Sequence, residues 1–204
     1  MGQHVNYKLR YRKEQAKFWA SSYEEKRPEL TTAQRKMLSH YDNATLYNDS
    51  IVAQIVKRFQ KEDAVVIYVP DHGEECYEED RGFICRNHSA NIDWPLAHYE
   101  FEIPFWIYCS PKYIRNHRDI YRQIRKAKDK RFMTDALPHL LLYLAGIETP
   151  TYKEEYNILS PKYNEMRPRI LKNSADYDQL RDEHLEKVEK EKSKKEKSKK
   201  GDKK

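Results

Sequence analysis

The run Ala64-Val65-Val66-Ile67-Tyr68-Val69, stopped by Pro70, constrains this chain more than any other segment. Its successive apolar residues, mostly β-branched, leave no polar face. That predicts a strand buried on both sides, of the kind found in parallel sheets. Ile103-Pro104-Phe105-Trp106-Ile107-Tyr108 has the same character, with Pro104 near its start, where a missing N–H donor is tolerated. The residues between them, 71–99, are a polar connection holding Gly73, Gly82, histidines and many carboxylates. A connection of that length inside a compact domain is usually functional.

Helical signals flank the two strands. Thr31 or Thr32 can cap a long helix, in which Met37, Tyr41, Ala44, Ile51, Ile55 and Phe59 fall on one face, and Lys61-Glu62-Asp63 ends it. Residues 1–30 read as a loop with a short helix around Glu14–Trp19. A basic helix is expected from about Pro111 to Lys128. Thr134 or Asp135 would cap Leu137–Ala145, with Gly146 as a left-handed stop. Residues 147–178, with Pro150, Pro161 and Pro168, read as irregular. The order helix–strand–loop–strand–helix is α/β alternation. The expected organisation is a folded body over 1–178 and a charged tail, helical or disordered, over 179–204.

The charge of +6 sits mainly in that tail: residues 185–204 carry 10 Lys against 5 Asp and Glu, five of the six net charges. The body is therefore close to neutral, and no specific nucleic-acid partner is expected. A Lys/Glu/Ser extension of this kind is usually solvated. No stretch approaches the roughly 20 apolar residues that cross a bilayer, and the charged first thirty residues contain no signal peptide. Asn6 stands where a myristoylation start needs Ser or Thr. Cys76, Cys85 and Cys109 make neither a disulfide framework nor a zinc ribbon. Cys76 and Cys85 can pair in an oxidising compartment; the plainer reading is three small packing residues.

Asp71-His72-Gly73-Glu74 follows the first strand, and in open α/β sheets ligands sit beyond the carboxyl ends of strands. An adjacent carboxylate and imidazole offer oxygen and nitrogen to a Zn²⁺-like ion. Gly73 permits an unusual turn and a close backbone approach. Taken alone, an Asp-His pair is more often a turn cap beside a surface imidazole. The acidic residues Glu74, Glu75, Glu78, Glu79 and Asp80 either attract cations or form a solvated face. His139, among Leu137, Leu140, Leu141 and Leu142, reads as a satisfied half-buried histidine. His98, just before the second strand, could support a site from behind, but packing or surface is the preferred reading; His40, His117 and His184 read as ordinary surface positions.

Residues 66–75, Val-Ile-Tyr-Val-Pro-Asp-His-Gly-Glu-Glu, resemble the metal-binding strand end of the sulfatases and phosphoethanolamine transferases of the alkaline phosphatase superfamily. Further matches follow in that family's order. They are Met1-Gly2-Gln3-His4 with Tyr11, Tyr41-Asp42-Asn43 with Leu46-Tyr47 and Asp49, Tyr99 to Phe105, and Leu137-Pro138-His139-Leu140-Leu141-Leu142 through Gly146-Ile147. The resemblance spans about residues 1–178. It implies the C-terminal half of an alkaline phosphatase-like domain, with a mostly parallel sheet flanked by helices.

On that resemblance Asp71 and His72 are ligands of a catalytic Zn²⁺. His4 and His88 contact the substrate phosphate, although Gln3 replaces the usual small Ser and His88 lies farther from His72 than the pattern has it. The family's nucleophile is a Thr upstream of the Met-Gly-x-His segment, and Thr31, Thr32 and Thr45 fall in the wrong order to replace it. The implied reaction moves phosphoethanolamine from a phospholipid donor to a lipid A or core-sugar acceptor. It takes place in a periplasmic domain of an inner-membrane protein, with this chain lacking the nucleophile half and inactive alone. A sulfatase-like ester hydrolase from the same superfamily and a non-catalytic remnant or binding protein are the alternatives.

Overall fold

A computed structural model describes residues 6–85 and 91–201. Backbone contacts divide it into two interleaved units. The first draws on residues 6–69, 74–85 and 104–116, the second on 70–73, 91–103 and 117–201.

In the first unit, 3-10 turns at Tyr7–Leu9, Lys13–Gln15 and Ala20–Tyr23 replace the single helix expected near Glu14–Trp19. They lead to helix α1 (Thr32–Phe59). Thr31 is the cap: its hydroxyl accepts from Gln34 N at 3.3 Å, and its N–H donates to the Gln34 side chain at 2.7 Å. The buried residues of α1 are Leu38, Ser39, Asn43 and Ala44. The expected apolar face is therefore covered only in part, since Ile55 and Phe59 keep 45% and 42% of their surface exposed. The covered part coincides with the N-terminal turns. The buried Asn43 carboxamide accepts from Lys17 N and Phe18 N and donates to Phe18 O, so one side chain satisfies three backbone groups of that loop. Tyr23, Leu30, Leu38, Cys76 and Tyr77 form the core beside them.

Strand β1 (Val65–Tyr68) pairs with β4 (Trp106–Cys109), Val65 opposite Cys109 and Tyr68 opposite Trp106. The Tyr68 and Trp106 rings stack with centroids 5.2 Å apart. The pairing is antiparallel, where the apolar runs had suggested a parallel sheet, and β1 is half-buried throughout. An unbroken apolar run reports a packed environment but carries no information on strand direction. Ser110 closes the pair. Its hydroxyl donates to Glu62 O at 2.6 Å and accepts from Ala64 N at 3.3 Å and from Tyr113 N at 3.0 Å. It thereby caps helix α3 (Pro111–Asn116). A short hairpin, β2 (Glu75–Cys76) with β3 (Phe83–Cys85), completes the unit.

In the second unit, Asp93 caps the single turn α2 (Trp94–Leu96), which continues as a π-helical turn over Ala97–Phe101. The basic helix expected to run to Lys128 breaks at His117, whose backbone leaves the helical region, and α4 spans Arg118–Ala127. Helix α5 (Leu137–Leu144) has no side-chain cap: a 3-10 turn over Thr134–Ala136 precedes it and puts Ala136, rather than Thr134 or Asp135, at the cap position, while Asp135 is engaged by Arg167 through two 2.6 Å hydrogen bonds. Gly146, at φ 65°, ends α5 as expected, with Ile147 N donating to Leu142 O at 2.9 Å. The hairpin β5 (Ile170–Leu171) with β6 (Ala175–Asp176) leads into α6 (Tyr177–Gly201). Among the described residues no helix is long and apolar enough to cross a membrane.

Candidate metal site

Strand β1 ends at Tyr68, and Asp71, His72 and Gly73 make the turn that follows it in the chain. The His72 ring is mostly covered, at 19% exposure, while the Asp71 carboxylate is 89% exposed. His72 Nδ1 lies 2.7 Å from the Gly73 carbonyl oxygen. A carbonyl can only accept, so Nδ1 carries the proton, and the lone pair of the neutral ring is on Nε2. Nε2 in turn lies 3.7 Å from Asp71 Oδ2. Two ligand atoms on one Zn²⁺, each about 2.0–2.2 Å from the ion, are separated by about 3.3–3.6 Å at a tetrahedral angle. The pair is thus already near ligand spacing, and the backbone carbonyl fixes the histidine tautomer that ligation needs.

Gly73 holds this turn against the π-helical segment. Its N–H donates to Glu100 O at 2.8 Å. A Cβ built on Gly73 would lie 2.1 Å from the Tyr99 carbonyl oxygen, 3.2 Å from its carbon and 3.4 Å from Glu100 Cα. Gly73 is absent from the residues with positive φ. Of the two uses of glycine expected from the sequence, close backbone approach is the one at work.

The acidic stretch after Gly73 is engaged within the first unit. Glu75 is fully buried, its two oxygens held by Arg81 at 2.8 and 3.2 Å. Glu74 accepts from the Tyr7 hydroxyl, and Glu78 accepts from Cys76 N. The reading of these residues as a solvated face therefore fails at Glu75. Among the described residues no group of three or more His, Cys, Asp and Glu side chains can hold a metal ion. Asp71 and His72 fit zinc as two ligands of a larger set. His4 and His88, the expected phosphate contacts, lie outside the described residues.

The other histidines differ in part from their sequence reading. His139 Nδ1 accepts from Lys153 N at 3.1 Å and packs on Tyr152 and Tyr156, as a satisfied histidine should. His40 is half-buried and hydrogen-bonded to the Tyr11 hydroxyl at 2.8 Å; burial, with Lys36 and Lys8 nearby, holds its pKa below the usual value. His184 is no plain surface residue, because its ring stacks on Trp94 at 5.2 Å. His98 stacks on the same indole at 5.4 Å and pairs with Glu102 at 3.0 Å. No sequence period announces this cluster, since Trp94 and His184 are 90 positions apart.

Comparison with known proteins gives the setting. The family model described as Sulfatase matches residues 1–147. Phosphoethanolamine transferase EptC of Escherichia coli K12 is 31% identical over 188 residues, covering 88% of this chain and 31% of the relative. The Kdo(2)-lipid A phosphoethanolamine 7''-transferase of the same strain is 29% identical over 138 residues, covering 64% of this chain and 22% of that protein. The crystal structure of the C-terminal periplasmic domain of Escherichia coli EptC superposes with a TM-score of 0.70 at 29% identity, covering 88% of this chain and 51% of that one. The same domain solved in complex with Zn gives 0.69 at 28% identity, covering 88% and 50%. The chain spans about a third of the length of the EptC relative and half of the solved domain. The resemblance first drawn from residues 66–75 and the motifs around them is thereby borne out, as is an alkaline phosphatase-like α/β fold.

Proposed function

The chain belongs to the sulfatase family, and from that premise we propose that its Asp71–His72 turn supplies two zinc ligands for the transfer of phosphoethanolamine from a phospholipid to lipopolysaccharide, at lipid A or a core sugar. The observation that carries this reading is the turn itself. The Gly73 carbonyl holds the proton on Nδ1, and His72 Nε2 faces Asp71 Oδ2 at 3.7 Å. Zinc bound there supplies Lewis acidity toward phosphoryl oxygens and a hydroxyl nucleophile. This chain's own residues orient the ligands: the carbonyl sets the ring, and Gly73 N on Glu100 O sets the turn.

His4 and His88 steady the phosphate in this reading, on the strength of the motifs around them. The remaining ligands and the Thr nucleophile belong to the part of the domain that the 204 residues do not match. Transfer is preferred to sulfate-ester hydrolysis because the relatives that cover most of this chain are phosphoethanolamine transferases. Their solved counterparts are periplasmic domains, and the same compartment is proposed for this fold.

A four-ligand structural zinc site binds with about 10–16 kcal/mol, so two ligands should retain about half, a Kd of roughly 1 µM to 0.2 mM. Calorimetric titration of the purified chain with zinc should give one site in this range, lost in the D71A/H72A double variant, with little zinc-dependent phosphodiesterase turnover. Titration curves indistinguishable between the two proteins would end the metal assignment. Appreciable turnover would place the nucleophile within this chain.

A further inference from the structure

We infer that the aromatic cluster of Trp94, His98, Tyr177 and His184 positions the His72 ring, through Gly73, so that the first turns of α6 tune the metal turn; this rests on the metal reading proposed above.

The connection is continuous within the second unit. Gly73 meets the π-helical turn in a backbone contact with no room for a methyl group, and its N–H is bonded to Glu100 O at 2.8 Å. A shift of Tyr99 and Glu100 therefore moves the Gly73 peptide, whose carbonyl holds His72 Nδ1 at 2.7 Å. Position and proton placement on His72 depend on the same peptide. The π-turn in its turn is held from α6. Trp94, just before it, stacks on His184 at 5.2 Å and on His98 at 5.4 Å, with interplanar angles of 21° and 13°. Tyr177, at the start of α6, packs on Trp94 at 5.8 Å, and its hydroxyl donates to the Glu102 carboxylate, just beyond the π-turn. Glu102 also pairs with His98 at 3.0 Å, and Arg169 lies 4.2 Å over the Tyr177 ring. Ala97, the first residue of the π-turn, is fully buried with Leu171 and Tyr177 and with Leu180 of α6. A π-helical turn is rare and recurs at functional sites; this one is held at both ends by side chains of, or adjoining, α6. His184 acts through its stacking on Trp94 and is not one of the proposed ligands, which makes it a positioning residue.

The test is long-range ¹H–¹⁵N NMR of the His72 ring and hydrogen exchange of the Gly73 amide, in the full chain without metal. The unaltered protein should show the Nδ1–H tautomer. His184→Ala should shift His72 toward the Nε2–H form and speed exchange at Gly73 about tenfold, while His184→Phe, which keeps a stacking ring, should restore both. His139→Ala removes another stacked histidine of the same unit and should change neither. Zinc affinity should follow the tautomer, falling about tenfold in His184→Ala, the low end for loss of an outer-sphere support. A His72 ring that starts in the other tautomer, no response to His184→Ala, or an equal response to His139→Ala would each overturn the coupling. Should zinc fail to bind at Asp71 and His72 while the tautomer still responds to His184, the metal reading falls and the coupling stands.

Discussion

Gly73→Ala tests the architecture of the Asp71–Gly73 turn most directly. The added methyl carbon would lie 2.1 Å from Tyr99 O, whereas ordinary contact begins at 3.4 Å, so the two backbones must part by about 1.3 Å. The obstructing atoms are main chain and cannot rotate away. A displacement of that size stretches the 2.8 Å Gly73 N–Glu100 O bond beyond hydrogen-bonding range. The lost bond costs about 1 kcal/mol and the overpacking about 1–3 kcal/mol. Alanine also stiffens the unfolded chain, and because φ is not positive at Gly73 no left-handed strain cancels that return of about 0.4–1 kcal/mol. The net destabilisation is about 1–3.6 kcal/mol, read as a lowered midpoint in urea unfolding of the full chain, with zinc affinity at Asp71 and His72 expected to fall in parallel. At an unobstructed glycine of negative φ, the same substitution would stabilise. A Gly73→Ala protein as stable as the parent or more so, with unchanged zinc binding, would refute the close-approach argument.

Two further outcomes follow from polar groups that are buried or half-buried. Asn43→Ala removes three hydrogen bonds to Lys17 and Phe18 and leaves those backbone groups without that partner. It should cost about 2–4 kcal/mol and, in hydrogen exchange, expose the N-terminal turns before the rest of the first unit. The Asp178 carboxyl titrates below the usual carboxylate range, because Arg169 hydrogen-bonds to it and, against the opposing effect of burial, Arg169, Arg131 and Arg181 add attraction. A lowered folded-state pKa means the unfolded chain takes up the proton first as pH falls. The contribution is therefore complete above about pH 4 and is lost as pH drops through the folded value. Asp178→Asn should lower stability at pH 7 by about 1.5–3 kcal/mol and flatten the acid limb of the stability profile. An acid limb of unchanged steepness would show that other carboxylates carry it.

Legibility in the sequence divides along physical lines. Local chemistry was readable: Thr31 capping α1, Gly146 ending α5, and the valine-rich strand ahead of Asp71 each depend on residues within a few positions of one another. Ordered motifs gave the family for the same reason, since each is a short local phrase. What could not be read is set by partners far along the chain. The antiparallel pairing of β1 with β4 is one case, because an apolar run is the same read in either direction. The burial of Glu75 is hidden for another reason: Arg81 is six positions on, but an acidic loop does not announce that it folds back to pair the two, which makes a fully buried carboxylate tolerable. Gly73 is the most instructive. A glycine after Asp-His allows an unusual turn or a close backbone approach, and only the second is used; what the sequence does not name is the segment approached, Tyr99 and Glu100. Space of that kind belongs to a pair of segments and is written in neither. Transplanting Asp71 through Glu74 alone into another strand end should therefore give weaker zinc binding than the same turn with residues 94–102 and the start of α6 against it, because the support travels with those segments.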